Sequence, residues 1–220
     1  INQAAFQGIA CQVCAIPGVP GCGGRGGSPA TPVTINNYMR VDNAFFQPAA
    51  DDSSSPLPVD IPGLVTPFDR IVFFQGTTRD FAYDGDVVYH EFGHAIIHTI
   101  VENGGMPAGL NGYIRDAWGV RNEAGALNEG LADYFSQSLT QDPVTGEYAA
   151  AGLVQGELGI RNAGEAWTCP DSTTGEVHDD SRAWSSALWA AYVAVAGSDT
   201  TRQRRMDDVI FTVTSALPAA

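Results

Sequence analysis

At 220 residues, with 44% hydrophobic and 16% charged side chains, the chain is long enough for one large domain or two small cooperating lobes, and its composition is that of a folded protein rather than a disordered one. No stretch approaches the roughly eighteen uninterrupted apolar residues of a membrane span. Twenty-five acidic side chains against 11 basic ones give a net charge of −14, which opposes attraction to phosphate backbones and anionic lipids and argues against nucleic acid as a partner. All 11 basic residues are arginine; nothing in the sequence explains this.

Residues 1–32 carry Cys11, Cys14 and Cys22 among Gly/Pro punctuation, PGVPGCGGRGGSPATP, which predicts an irregular arm rather than a helix or a sheet. Cys169 brings the cysteines to four. Two disulfides in an exported protein suit such a composition, and a zinc knuckle is the rival arrangement. The opening INQAAFQGIA has no basic start, long apolar run or cleavage site. It does not read as a signal peptide, so the expectation is a secreted chain whose leader has been removed, or a piece of a longer precursor. Residues 33–103 read as an N-terminal lobe. Within it, the β-prone runs VTINNYMRV, NAFF and RIVFFQG, separated by loops from Pro48 to Pro67, predict a small, partly antiparallel sheet.

After Asp84-Gly85-Asp86 the pattern turns helical. Val87, Phe92, Ala95, Ile96 and Ile100 recur at helical spacing, behind an acidic start and ahead of an NGG stop. Residues 104–220 read as a helical C-terminal lobe. Its first 18 residues are Gly-rich and irregular, and helices follow from about Asn122 to Leu139, from Asp180 or Ser181 to Gly197, and from Arg202 to Ala216. Sheet first and helices afterwards make an α+β protein.

Residues 90–94 read His90-Glu91-Phe92-Gly93-His94. Helical steps of about 100° return nearly to the start after four residues, so both imidazoles project from one face, one turn apart, and can share a metal. With four histidines and eight glutamates in the chain, composition alone gives about 0.003 occurrences of this pattern by chance. A catalytic zinc takes three protein ligands and leaves a position for water, so a further donor is needed. His98 lies roughly 12 Å along the helix from His90 and does not reach the same ion. Glu129, in GALNEGLADYF, sits on a helix beside Leu127 and Leu131, where an unpaired carboxylate is costly and a metal resolves the cost. Asp133, one turn later, is placed to accept the outer N–H of a ligating imidazole.

HEFGH followed by NEGLAD resembles the gluzincin metallopeptidases of the thermolysin and fungalysin group. The similarity continues in order along the chain, from about Arg40 to Ala196. Asn43-Ala44-Phe45 resembles the edge strand that pairs with substrate backbone, and RIVFFQG the strand before the active-site helix. Gly159-Ile160-Arg161-Asn162 resembles the group's arginine segment, and Glu176-Val177-His178-Asp179 its G-V-H-x-N segment. The resemblance implies a two-lobed fold, β-containing N-terminally and helical C-terminally, with the zinc helix between the lobes. It also implies a secreted zinc endopeptidase acting on a peptide or protein substrate. His90, His94 and Glu129 then ligate zinc, and Glu91 takes a proton from the zinc-bound water and passes one to the leaving amine. His178 stabilises the oxyanion from a position just ahead of a helix start, Arg161 hydrogen-bonds a substrate carbonyl, and Asn43 and Ala44 bind substrate backbone.

The chain also departs from the group's pattern. Thirty-five positions separate His94 from Glu129, a longer interval than the resemblance implies, and Tyr113 does not match the register of the group's second oxyanion donor. The acidic partner of the oxyanion histidine has no match at the expected offset, leaving Asp171 as a loose substitute. Asp86 resembles a calcium-ligating aspartate, making Ca2+ a second candidate ion, although a helix N-terminal charge accounts for it more simply. Two other functions compete with the endopeptidase: a catalytically inactive structural or binding module that keeps the zinc fold, and an exopeptidase built on the same zinc site.

Overall fold

A computed structural model of the chain describes residues 41–47, 69–102, 110, 114–116, 119–153 and 158–217. Strand β1 (Ala44–Gln47) pairs antiparallel with β2 (Arg70–Phe73), Ala44 opposite Phe73 and Gln47 opposite Arg70. This ladder is the described part of the sheet expected from residues 33–75. The run VTINNYMRV up to Arg40, the loops from Pro48 to Pro67, the arm 1–32 and the NGG stop lie outside the described residues.

A short 3-10 turn (Phe81–Tyr83) leads into helix α1 (Gly85–Ile97), which continues as a π-helical segment (His98–Glu102). Asp84 starts α1: its Oδ1 accepts the backbone N–H groups of Asp86 and Val87 at 3.0 and 3.2 Å, satisfying donors a helix start leaves without partners. The other oxygen, Oδ2, accepts Ala149 N–H at 2.7 Å. The Gly-rich stretch before Asn122 contains a small hairpin, β3 (Ile114–Asp116) with β4 (Gly119–Arg121). Helix α2 (Glu123–Thr140) follows, then β5 (Val144–Thr145), α3 (Glu147–Leu153) and β6 (Arg161–Asn162), with β6 antiparallel to β5. Helices α4 (Val177–Ala196) and α5 (Thr200–Ser215) complete an α+β protein.

Helix α4 begins three residues before the predicted start at Asp180. The cause is Glu176, whose Oε2 accepts the N–H groups of His178 and Asp179 at 2.9 and 3.0 Å and so caps the helix at this earlier point. His178 therefore stands in the first helical turn, not ahead of it.

Helix α2 is central, packed between α1 and α4, while α5 covers α4 and the π-helical end of α1. One apolar cluster joins Ile97 and Val101 to Leu110, Leu131 and Ala132, and a second joins Ala44, Phe81, Val87 and Ala149. Full burial of a side chain such as Ile97 or Leu131 contributes about 1.5–3 kcal/mol. Thus α1, from the 33–103 span, is fastened to α2, from the 104–220 span, by a shared core.

Two glycines allow α2 its close neighbours. A Cβ on Gly130 would lie 2.6 Å from Trp184 Cβ and 3.0 Å from Ser181 O on α4. A Cβ on Gly93, in the middle of HEFGH, would lie 2.9 Å from Ala132 Cα and 3.2 Å from Ala132 O. Backbone atoms cannot swing aside, so any side chain at position 93 pushes α1 away from α2. We expect Gly93→Ala to cost about 1 kcal/mol net, since overpacking in the middle of its range of about 1–3 kcal/mol exceeds the helix-propensity gain of about 1 kcal/mol. Urea unfolding checks this; a variant as stable as the parent would show that the helices part without penalty.

Candidate metal centre

The crossing of α1 over α2 brings His90, His94 and Glu129 together. His90 Nε2 lies 3.0 Å from His94 Nε2 and 3.2 Å from Glu129 Oε2, and His94 Nε2 lies 3.4 Å from Glu129 Oε1. Tetrahedral zinc with bonds of about 2.0–2.1 Å sets its ligand atoms about 3.3 Å apart, and the observed separations, to one Glu129 oxygen from each imidazole, are close to that spacing. Among the described residues, these three form the one group of His, Cys, Asp and Glu side chains whose donor atoms converge in this way.

Neighbouring side chains fix which imidazole nitrogens face inward. His90 Nδ1 is 2.9 Å from Asp133 Oδ1 and His94 Nδ1 is 2.9 Å from Asn128 Oδ1. Each Nδ1–H donates outward, which leaves Nε2 to meet a cation. Asp133 is completely buried and is gripped in turn by Arg161, whose Nε and Nη2 donate to its two oxygens, each at 2.7 Å. The β5–β6 pairing sets Arg161 opposite Thr145, and from there its guanidinium reaches to 3.9 Å from Glu129 Oε2.

The electrostatics follow from these contacts. Burial opposes a charged His90, yet Asp133 and then Glu129 outweigh it and bring its pKa up to about 10. Burial also opposes charge on His94, and Glu129 raises it nonetheless. Burial resists ionisation of Glu129, but His94 and His90 hold its carboxyl well below the usual range. Burial resists ionisation of Asp133 as well, and Arg161 with His90 brings it down to about 2. Without an ion the site is a set of charges held apart from water. Even so, Glu129 Oε2, 3.2 Å from His90 Nε2, has no hydrogen-bond partner. An orphaned buried carboxylate oxygen beside two inward-facing imidazole nitrogens makes a group that could hold a divalent metal.

Glu91 is 5% exposed, and its Oε2 is also buried without a partner. It stands close enough to add to the raising of His94. His178 arrives from the first turn of α4 with its Nε2 3.5 Å from Glu129 Oε1, and 55% of its side chain remains open to solvent. Its Nδ1 lies 2.7 Å from Glu176 Oε1. The nearby acid is therefore Glu176 and not Asp171, which is exposed.

Several sequence-derived residues lie apart from this cluster or are engaged differently. Arg161 is 9% exposed and committed to Asp133, placed behind the imidazoles to hold them. Asn43 is exposed and its Oδ1 accepts the N–H of Ala44 at 2.9 Å, while Asn43 O accepts Phe74 N–H at 3.1 Å. His98 packs on Phe46, with ring centroids 5.5 Å apart, and lies 4.0 Å from Asp69. Asp86 accepts Gly146 N–H at 3.3 Å, and burial together with Glu147 pushes its pKa up to about 7. Cys169 is exposed with a free thiol; Cys11, Cys14, Cys22 and Tyr113 lie outside the described residues. A groove of about 440 Å³, lined by Tyr89, Phe92, Ile96, Phe135, Leu139 and Tyr192 among others, runs along the far side of α1 from the imidazoles.

Sequence reasoning passed over Asn128 and Glu176. Asn128 was accessible, since it directly precedes Glu129 on the same helix. The Glu176 contact was signalled only by a carboxylate two residues before a histidine at a helix start. Comparison with known proteins finds no matching family model, no matching curated protein and no matching solved structure.

Because Asp133 is fully buried, removing its cation leaves a buried charge without its main partner, which costs about 3–5 kcal/mol. Arg161→Met is therefore expected to lower stability by that order and to weaken zinc binding about 10–100-fold through His90. Denaturant unfolding and competitive zinc titration read the two effects. Parent-like zinc affinity in a folded variant would contradict the role given to Arg161.

Proposed function

We propose that the chain is a zinc-dependent endopeptidase with the two-lobed gluzincin architecture, secreted and acting on peptide or protein chains. The observation that carries this reading is the convergence of two imidazole nitrogens and one carboxylate at 3.0–3.4 Å, with an unpartnered buried carboxylate, Glu91, on the same helix. A purely structural zinc site fills its fourth position with another protein ligand; among the described residues this group has three. Zinc held there supplies a water acidified toward neutrality and a Lewis acid for the scissile carbonyl.

The side chains of the chain do the rest. Glu91, with Oε2 free of hydrogen bonds, accepts the proton of the attacking water and delivers it to the leaving amine nitrogen, a contribution of about 10²–10⁴-fold. His178, half open to solvent and 3.5 Å from Glu129, acts as the imidazolium: Nδ1–H donates to Glu176 Oε1, and Nε2–H donates to the oxygen that becomes negative as the carbonyl is attacked. Asp133 and Asn128 keep the two Nε2 atoms turned inward, and Arg161 holds Asp133. An extended substrate adds to the edge of β1, and Asn43 Oδ1 must first release the N–H of Ala44.

Glu91→Gln preserves shape and removes the base. Zinc stoichiometry by elemental analysis should stay at the parent value while hydrolysis of a casein-type substrate falls by about 10²–10⁴-fold. Chelation of the parent should abolish hydrolysis, and added zinc should restore it. Unchanged turnover in Glu91→Gln would rule out the mechanism. A zinc-loaded parent without hydrolysis would favour a non-catalytic module, and cleavage confined to chain ends would favour an exopeptidase.

A further inference from the structure

Asn122 occupies the N-cap position of α2, where an asparagine side chain ordinarily accepts a backbone N–H from the first turn, yet it makes no such bond. Its amide points elsewhere: Nδ2 donates to Gly175 O at 2.8 Å and approaches Asp180 Oδ2 at 3.5 Å. Helix α2 therefore forgoes a stabilising cap in favour of a link to a loop 53 residues away in sequence.

That loop delivers His178. Asp180 gathers it, Oδ1 accepting Thr174 N–H at 2.7 Å and Oδ2 accepting Gly175 N–H at 3.1 Å. The next residue, Glu176, uses Oε2 to cap α4 and Oε1 to hold His178 Nδ1. The opposite nitrogen, His178 Nε2, comes to 3.5 Å from Glu129. Asn122 and Glu129 are both on the α2 segment, seven positions or about 10.5 Å apart along the helix. The loop and the imidazole thus span two turns of α2 and are fastened at both ends. With 55% of its side chain exposed, His178 is not held by packing alone, and its place depends on this link.

We propose that Asn122 is a positioning residue that ties the His178-bearing loop to the helix carrying Glu129, holding His178 at the mouth of the metal centre. The inference rests on the role given to His178 above. Asparagine is needed because its amide donates across the gap; serine caps a helix well but is too short to reach Gly175 O.

Asn122→Ser tests this, since it restores the α2 cap while cutting the link. The zinc-loaded full chain carrying the substitution should melt no lower than the parent and bind zinc equally. Its kcat should fall about tenfold with KM nearly unchanged, as expected when a group acting in the transition state is misplaced. In a His178→Ala background the same substitution should have no further effect on kcat. Independently of turnover, carbethoxylation of His178, followed by mass spectrometry of its peptide, should be several-fold faster in Asn122→Ser. An unchanged labelling rate, or an undiminished kcat effect in the His178→Ala background, would overturn the proposal. If the parent hydrolyses nothing, the endopeptidase reading fails and the labelling rate alone decides whether Asn122 holds His178.

Discussion

Five ionisable side chains, His90, His94, Glu129, Asp133 and Arg161, are confined at the crossing of α1 and α2, where water does little to solvate them. Charges in such a place are tolerable only if each has a partner of opposite sign in good geometry. Arg161 and Asp133 meet this demand with two parallel hydrogen bonds. The remaining three groups, His90, His94 and Glu129, do so only partly, because two Nε2 atoms face each other and one carboxylate oxygen is left without a hydrogen bond. The arrangement becomes consistent when a cation lies among them, and the proposed zinc is the ion whose preferred ligands and spacing these are.

This constraint passes into the surrounding fold. The imidazoles and the carboxylate belong to different helices, so their separation is the separation of the helices, set by Gly93 against the backbone of Ala132. Gly130 does the same on the other side of α2, letting α4 approach near Trp184 and bring the start of α4, with His178, to Glu129. The two-residue pairing between β5 and β6 then supplies Arg161 from a third direction. The small residues and short strands around α2 have little burial of their own to offer, and their contribution is placement.

What was legible in the sequence was local. Four-residue spacing in HEFGH fixes the relative direction of His90 and His94 on any helix, and the next turn after Glu129 places Asp133 beside it. The helices themselves were readable from apolar periodicity, with α1 and α2 found close to their observed ends. What was not legible required partners distant in sequence. Arg161 grips Asp133, 28 residues earlier, and Asn122 is bonded to Gly175, 53 residues later. Helix α4 begins ahead of the expected Asp180 or Ser181 because its cap is Glu176, a less usual residue for that position.

The account's central claim is that His90, His94 and Glu129 bind one zinc ion together. Crystals of the zinc-loaded chain, measured on both sides of the zinc absorption edge, test it most directly. The account predicts one strong anomalous peak within bonding distance of His90 Nε2, His94 Nε2 and a Glu129 carboxylate oxygen. A peak elsewhere, or none at this cluster with Glu129 turned away from the imidazoles, would contradict it.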